Sequence, residues 1–78
     1  MTKTQIIKKL QQMKWLDSHW RLKDFTVIDT YDKIFFCLNY GDMGLINKII
    51  YYKFDELAEV YELNNYYGDT TKIASVML

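Results

Sequence analysis

Proline is absent from the 78 residues; glycine occurs three times, and cysteine and histidine once each. A single cysteine excludes an internal disulfide, and with it the secreted disulfide scaffolds. One cysteine and one histidine also cannot furnish a four-ligand zinc site of thiolates and imidazoles. The longest uninterrupted apolar run, Ile34 to Leu38, is far below the ~20 residues of a spanning helix. Ile6-Ile7, enclosed by Lys3 and Lys8-Lys9, is too short for a signal-peptide core. A cytoplasmic protein with no membrane partner is expected. Phosphate-cradling glycine patterns are missing, since Gly41-Asp42-Met43-Gly44 has neither the spacing nor the Lys-Ser/Thr of a nucleotide loop. It reads instead as a hairpin turn.

What the chain does have is aromatic and apolar bulk. Half of its residues are hydrophobic, and seven Tyr, four Phe and two Trp are among them. A chain of this length buries only roughly 60% of its unfolded surface, so one domain over residues 1–78 with a marginal core is expected. Without disulfide or metal, aromatic packing and association are its remaining supports.

Ten basic and ten acidic residues cancel, but they are not mixed evenly. Residues 1–23 carry a net +5 and residues 24–78 a net −5. Such a split steers partners or supports self-association, or simply keeps a helix solvated.

Thr2-Lys3-Thr4-Gln5 has the pattern of a capping box. Ile6, Ile7, Leu10 and Met13 follow at helical spacing, with Gln5, Lys8, Lys9 and Gln12 on the opposite side, which predicts an amphipathic helix of about three turns. Residues 15–24 break the period and read as a connector. Strands are expected over 25–29, 34–40 and 45–53, each rich in β-branched and aromatic residues. Asp55 reads as the cap of a second helix, with Glu56 and Glu59 in its first turns and Leu57, Val60 and Tyr61 as its apolar side. Residues 70–78 fit either a short helix or a fourth strand. The expected fold is thus α+β: a three-stranded antiparallel meander with an N-terminal helix and one or two C-terminal helices.

Catalytic constellations are weak. Asp17-Ser18-His19 has the residue types of a hydrolase triad, but adjacent side chains in a connector rarely converge on one geometry. Cys37 lies in the most apolar strand and reads as a small core hydrophobe. Asp55, Glu56, Glu59 and Glu62 read as a solvated helix face rather than a hard-cation site, which needs oxygens converging from several elements. No enzyme, cofactor or metal is expected. The tyrosines are more suggestive, because Tyr joins contact area to a polar tip and is enriched at interfaces. Tyr51 and Tyr52, adjacent in a strand, must face opposite ways. Trp20 flanked by Arg21 and Lys23 offers an aromatic and cationic anchor. Candidate partner contacts are therefore Lys8, Lys9, Trp20, Arg21, Lys23, Met43, Tyr51 and Tyr52.

The α-β-β-β-α order resembles the double-stranded-RNA-binding domain over most of the chain. That family grips phosphates with a basic second helix, whereas Asp55-Glu56-Leu57-Ala58-Glu59-Val60-Tyr61-Glu62 is acidic here, so RNA binding is not carried over. In size and element order the chain is also similar to small inhibitors encoded by phages and mobile elements, including anti-CRISPR proteins. Its richness in Ile, Lys, Asn and Tyr fits an AT-rich genome. That resemblance implies a non-catalytic protein docking on a host nuclease or ribonucleoprotein. The alternatives are a homodimeric structural or adaptor protein and a weak nucleic-acid binder using the basic first helix, with direct nucleic-acid binding the less favoured.

Overall fold

The computed structural model describes residues 1–39, 46–65 and 67–78. Helix α1 spans Lys3–Gln12 and opens with the capping box the sequence predicts. The Thr2 hydroxyl accepts from Gln5 N at 3.2 Å, and Gln5 Oε1 accepts from Thr2 N at 2.9 Å. The helix ends where Lys14 turns left-handed, at φ 67°. Lys14 N then donates to Gln11 O and Trp15 N to Leu10 O, the paired bonds that close a helix without glycine at some backbone cost. Residues 15–21 fold back over the sheet, and a short 3₁₀ turn, Leu22–Asp24, leads into it.

Five strands follow: β1 Phe25–Asp29, β2 Lys33–Leu38, β3 Ile46–Tyr52, β4 Leu57–Leu63 and β5 Thr70–Met77. They form one antiparallel sheet in sequence order, β1-β2-β3-β4-β5. The helix lies against one face of that sheet. Ile6, Ile7 and Leu10, with Leu16 from the connector, pack on Phe25, Ile34, Phe36, Ile49, Tyr51 and Ala58. Phe25 meets Phe36 edge-on at 6.1 Å and Trp20 at 6.3 Å. The register is consistent with this face, because Val27, Phe36, Ile49, Val60 and Ala74 stand opposite one another from strand to strand. A bulge between Ile46 and Lys48 turns Ile46 towards the core as well.

The second half of the chain corrects the expected fold. A three-stranded meander with C-terminal helices does not form; residues 57–63 and 70–77 are the fourth and fifth strands. Leu57, Val60 and Tyr61 do lie at helical spacing, but the same segment alternates, with Ala58 and Val60 fully buried and Leu57, Glu59 and Tyr61 on the other face. Two arguments favour the strand. Seven residues bounded by Asn64-Asn65 suit a strand better than a helix, which usually runs to ten or more. A helix here would also leave the polar edge of β3 unpaired. Asp55 does not cap a helix. It sits in the turn over residues 53–56 that joins β3 to β4, where Glu56 takes φ 49° and its carbonyl accepts from Leu78 N. Among the described residues no helix is long and apolar enough to cross a membrane.

Candidate interaction surfaces

With α1 on one face only, the opposite face of the sheet has no covering element among the described residues. An antiparallel sheet solvated on one side normally alternates apolar-in with polar-out. Here the outward set is largely apolar. Its middle row runs Ile28, Phe35, Ile50, Glu59 and Ser75 across the five strands. One flanking row is Lys33, Tyr52, Leu57 and Met77, and the other is Thr26, Cys37, Lys48, Tyr61 and Lys72. Ile28 is 52% and Met77 66% exposed, while Phe35, Ile50, Leu57 and Tyr61 are half-buried against their neighbours.

Glu59 organises the polar part of this face. Its Oε1 accepts from the Tyr52 hydroxyl at 2.6 Å and from the Tyr61 hydroxyl at 3.2 Å, and its Oε2 pairs with Lys72 at 3.3 Å. Lys48 lies over the Tyr61 ring at 4.8 Å and Lys33 over the Tyr52 ring at 5.6 Å. Donation from Tyr52 holds the Glu59 carboxyl below its ordinary range, against the opposing effect of burial. The same bond, with burial and the Glu59 charge, pushes Tyr52 up to about 12. Burial first, and then Glu59, raises Tyr61. Neutral Tyr52 beside ionised Glu59 is therefore the state that favours the fold. The Tyr52 part is complete below the ordinary tyrosine value of 10 and lost as pH rises through about 12. The Glu59 part is present above the ordinary glutamate value of 4.5 and lost as pH falls through the lower folded value. Phenolate absorbance of Tyr52 should accordingly appear near pH 12 in the native chain. Glu59→Ala should bring it down towards 10; an unchanged titration would mean that the bond does not control Tyr52.

Cations gather on the other side of the molecule. Lys8, Gln11, Ser18, Trp20 and Arg21 line a groove of about 280 Å³ between α1 and the connector. Gln11 Nε2 donates to Trp20 O, and the Arg21 guanidinium donates to the Ser18 and Trp20 carbonyls, so backbone acceptors rather than carboxylates hold it. No ion pair among the described residues involves Lys8, Lys9, Arg21 or Lys23. Asp17, Ser18 and His19 are all exposed, and the His19 ring packs edge-on to Trp20 at 6.0 Å rather than joining its sequence neighbours.

The sequence-derived contacts thus divide. Lys8, Trp20 and Arg21 meet in the groove, with Lys9 and Lys23 exposed outside its lining. Tyr52 belongs to the open sheet face. Tyr51 points the other way and is only 2% exposed beneath α1, so it is a core residue and touches neither surface. Met43 and the Gly41–Gly44 turn lie outside the described residues. Cys37 is half-buried on the open face rather than in the helix-covered core. Phe35, Ile50 and Glu59 were missed as surface contacts. Their parity was legible, but which parity the helix covers was not. Comparison with known proteins adds no relative: no family model, curated protein or solved structure matches the chain.

Proposed function

We propose that the chain is a non-catalytic binding protein that docks on a larger protein through the open face of its sheet. One observation carries this reading: the outward face is apolar along Ile28, Phe35 and Ile50 and rimmed by Tyr52, Tyr61 and lysines. An apolar core with aromatic and charged surroundings is the composition of protein interfaces, and an uncovered patch of this kind is uncommon on a monomer. In its finer form the partner is a nuclease or ribonucleoprotein and the chain an inhibitor of the phage or mobile-element kind. Chain length and the Ile, Lys, Asn and Tyr bias support that form; the helical second half of the element order no longer does. A second reading places an acidic protein segment in the groove of Lys8, Trp20 and Arg21, because the cations there have no carboxylate of their own among the described residues.

Affinity capture with matched variants separates the two. Ile28→Lys with Met77→Lys alters the open face at exposed positions, and Lys8→Glu with Arg21→Glu reverses the groove. Changes at exposed sites usually stay within ~0.5 kcal/mol of stability. Capture of a stoichiometric partner should be lost in the first pair and kept in the second. The reverse pattern moves docking to the groove. A wild-type chain that captures nothing and scatters light as a monomer overturns the docking function. A dimer dissociated by the first pair alone makes a second copy the partner.

A further inference from the structure

The turn between β3 and β4 presents Phe54, Asp55 and Glu56 to solvent. Phe54 is 70% exposed and Tyr31, from the turn between β1 and β2, is 86% exposed; their rings meet edge-on at 5.5 Å. A single exposed apolar side chain is ordinary on a surface, but a cluster of them marks a contact site. The tip is tethered at its base. Lys53 N donates to Asp32 O at 2.9 Å, Lys53 Nζ pairs with Asp29 at 2.6 Å, and Glu56 O accepts from Leu78 N at 2.9 Å. Neither Asp55 nor Glu56 forms an ion pair among the described residues. The turn is therefore an aromatic knob carrying two uncompensated carboxylates.

The groove of Lys8, Trp20 and Arg21 has the opposite chemistry. Ile7, Trp20 and Leu22 give it apolar walls, and its lining holds two cations and no carboxylate. Its volume of about 280 Å³ exceeds the ~150 Å³ that takes up a benzene ring. The knob of the same chain does not fill it. Glu56 lines a different cleft, beside the first turn of α1, and no residue of the turn lines the groove. The turn between β4 and β5 also sets an exposed aromatic, Tyr67, near an acid, Asp69, but that carboxylate is taken by Asn65 Nδ2 at 2.9 Å.

We propose that the groove is a self-recognition site, filled by the Phe54-Asp55-Glu56 turn of a second copy of this chain. The Phe54 ring lies against Trp20 and Leu22, and Asp55 and Glu56 pair with Lys8 and Arg21. This rests on the groove reading above, whose acidic segment it names, and does not involve the open sheet face. The charge split of the chain has the matching sense, because the net +5 of residues 1–23 contains the groove cations and the net −5 of residues 24–78 contains the knob. A formal net charge of zero spares two copies any overall repulsion. Knob and groove are separate patches, so a two-fold axis lets each copy give one knob and receive one. Charged contacts on this scale are screened by salt.

The test is light scattering of the whole chain across micromolar to submillimolar concentrations, at low and high salt. The apparent mass should rise with concentration from one chain towards two, and less so in high salt. Lys8→Glu with Arg21→Glu, and separately Asp55→Lys with Glu56→Lys, place like charges against each other in every pairing. Each should raise the dimer dissociation constant about tenfold or more, with a melting curve like the native one. Mixed in equal amounts, the two double variants restore an acid-to-base match at both contacts and should associate again. Should Arg21→Glu melt early, Lys8→Glu with the native connector takes its place in both the single and the mixed measurement. Phe54→Ala should weaken the dimer, and Ile28→Lys with Met77→Lys should leave it intact. A wild type that keeps the mass of one chain throughout overturns self-recognition, and a foreign acidic segment in the groove then stands or falls by the capture experiment. A dimer that survives both charge reversals, or double variants that do not associate on mixing, equally overturns the proposal.

Discussion

Leu10→Ala should remove about 2–5 kcal/mol of stability, and Leu10→Asp should leave the chain largely unfolded at room temperature. Leu10 is fully buried, with Ile6 and Ile7 beside it, and these helix residues meet the inward row of the sheet at Ile34, Phe36, Ile49 and Tyr51. α1 is the one α-helix among the described residues, so nothing else there takes over its packing. A chain of this size commands about 4–12 kcal/mol at the usual ~0.05–0.15 kcal/mol per residue, which makes a single truncation a large fraction of the total. Urea unfolding followed by the fluorescence of Trp15 and Trp20 reads the loss directly, since both rings pack at the margin of that core. A Leu10→Asp chain that melts with the native one would detach α1 from the sheet and undo the account of both faces.

The first half of the fold was legible because local and long-range demands agree there. Thr2 and Gln5 satisfy each other whatever the sheet does, and Ile6, Ile7 and Leu10 have one apolar side to bury. In β2 the alternation of Ile34 and Phe36 with Phe35 and Cys37 is that of the two faces. The second half was not legible because Leu57 to Leu63 satisfies the helical and the alternating period at once. Acidic Glu56 and Glu59 after Asp55 imitate a helix start, and only the free edge of β3 breaks the tie. Thr70 to Met77 likewise becomes a strand because β4 is there to pair with it.

The interaction surfaces were legible to the same degree. Parity placed Tyr51 and Tyr52 on opposite faces, and it could not say which face α1 covers. The register decides: Tyr51 stands between Ile34 and Ala58 in the inward row, and Tyr52 between Lys33 and Leu57 in the outward one. Trp20 and Arg21 meet Lys8 because Gln11 ties the connector back onto α1 through the Trp20 carbonyl. A spacing of nine residues between Gln11 and Trp20 carries no periodic signal of that contact. By sequence alone Glu59 reads as part of a solvated helix face. As a strand residue it comes within reach of Tyr52 on β3 and Lys72 on β5.

Ala58 and Leu57 should respond to a carboxylate in opposite ways from those a helix would dictate. As a helix, residues 57–63 would bury Leu57 with Val60 and Tyr61 and leave Ala58 at the side, so Leu57→Asp would be the destructive change. As a strand, Ala58 is fully buried between Tyr51 and Val76, under α1. Leu57 lies on the open face between Tyr52 and Met77 and is only half-buried. Ala58→Asp then strands a charge in the core with no cation beside it. Its expected cost is about 3–5 kcal/mol, the scale found for an uncompensated buried charge. Leu57→Asp forfeits part of one side chain's burial and should cost about 1 kcal/mol. Urea midpoints of the two variants measured side by side decide the matter. A larger loss in Leu57→Asp than in Ala58→Asp would restore the helix, remove β5's pairing partner and dissolve the open face on which the proposed docking depends.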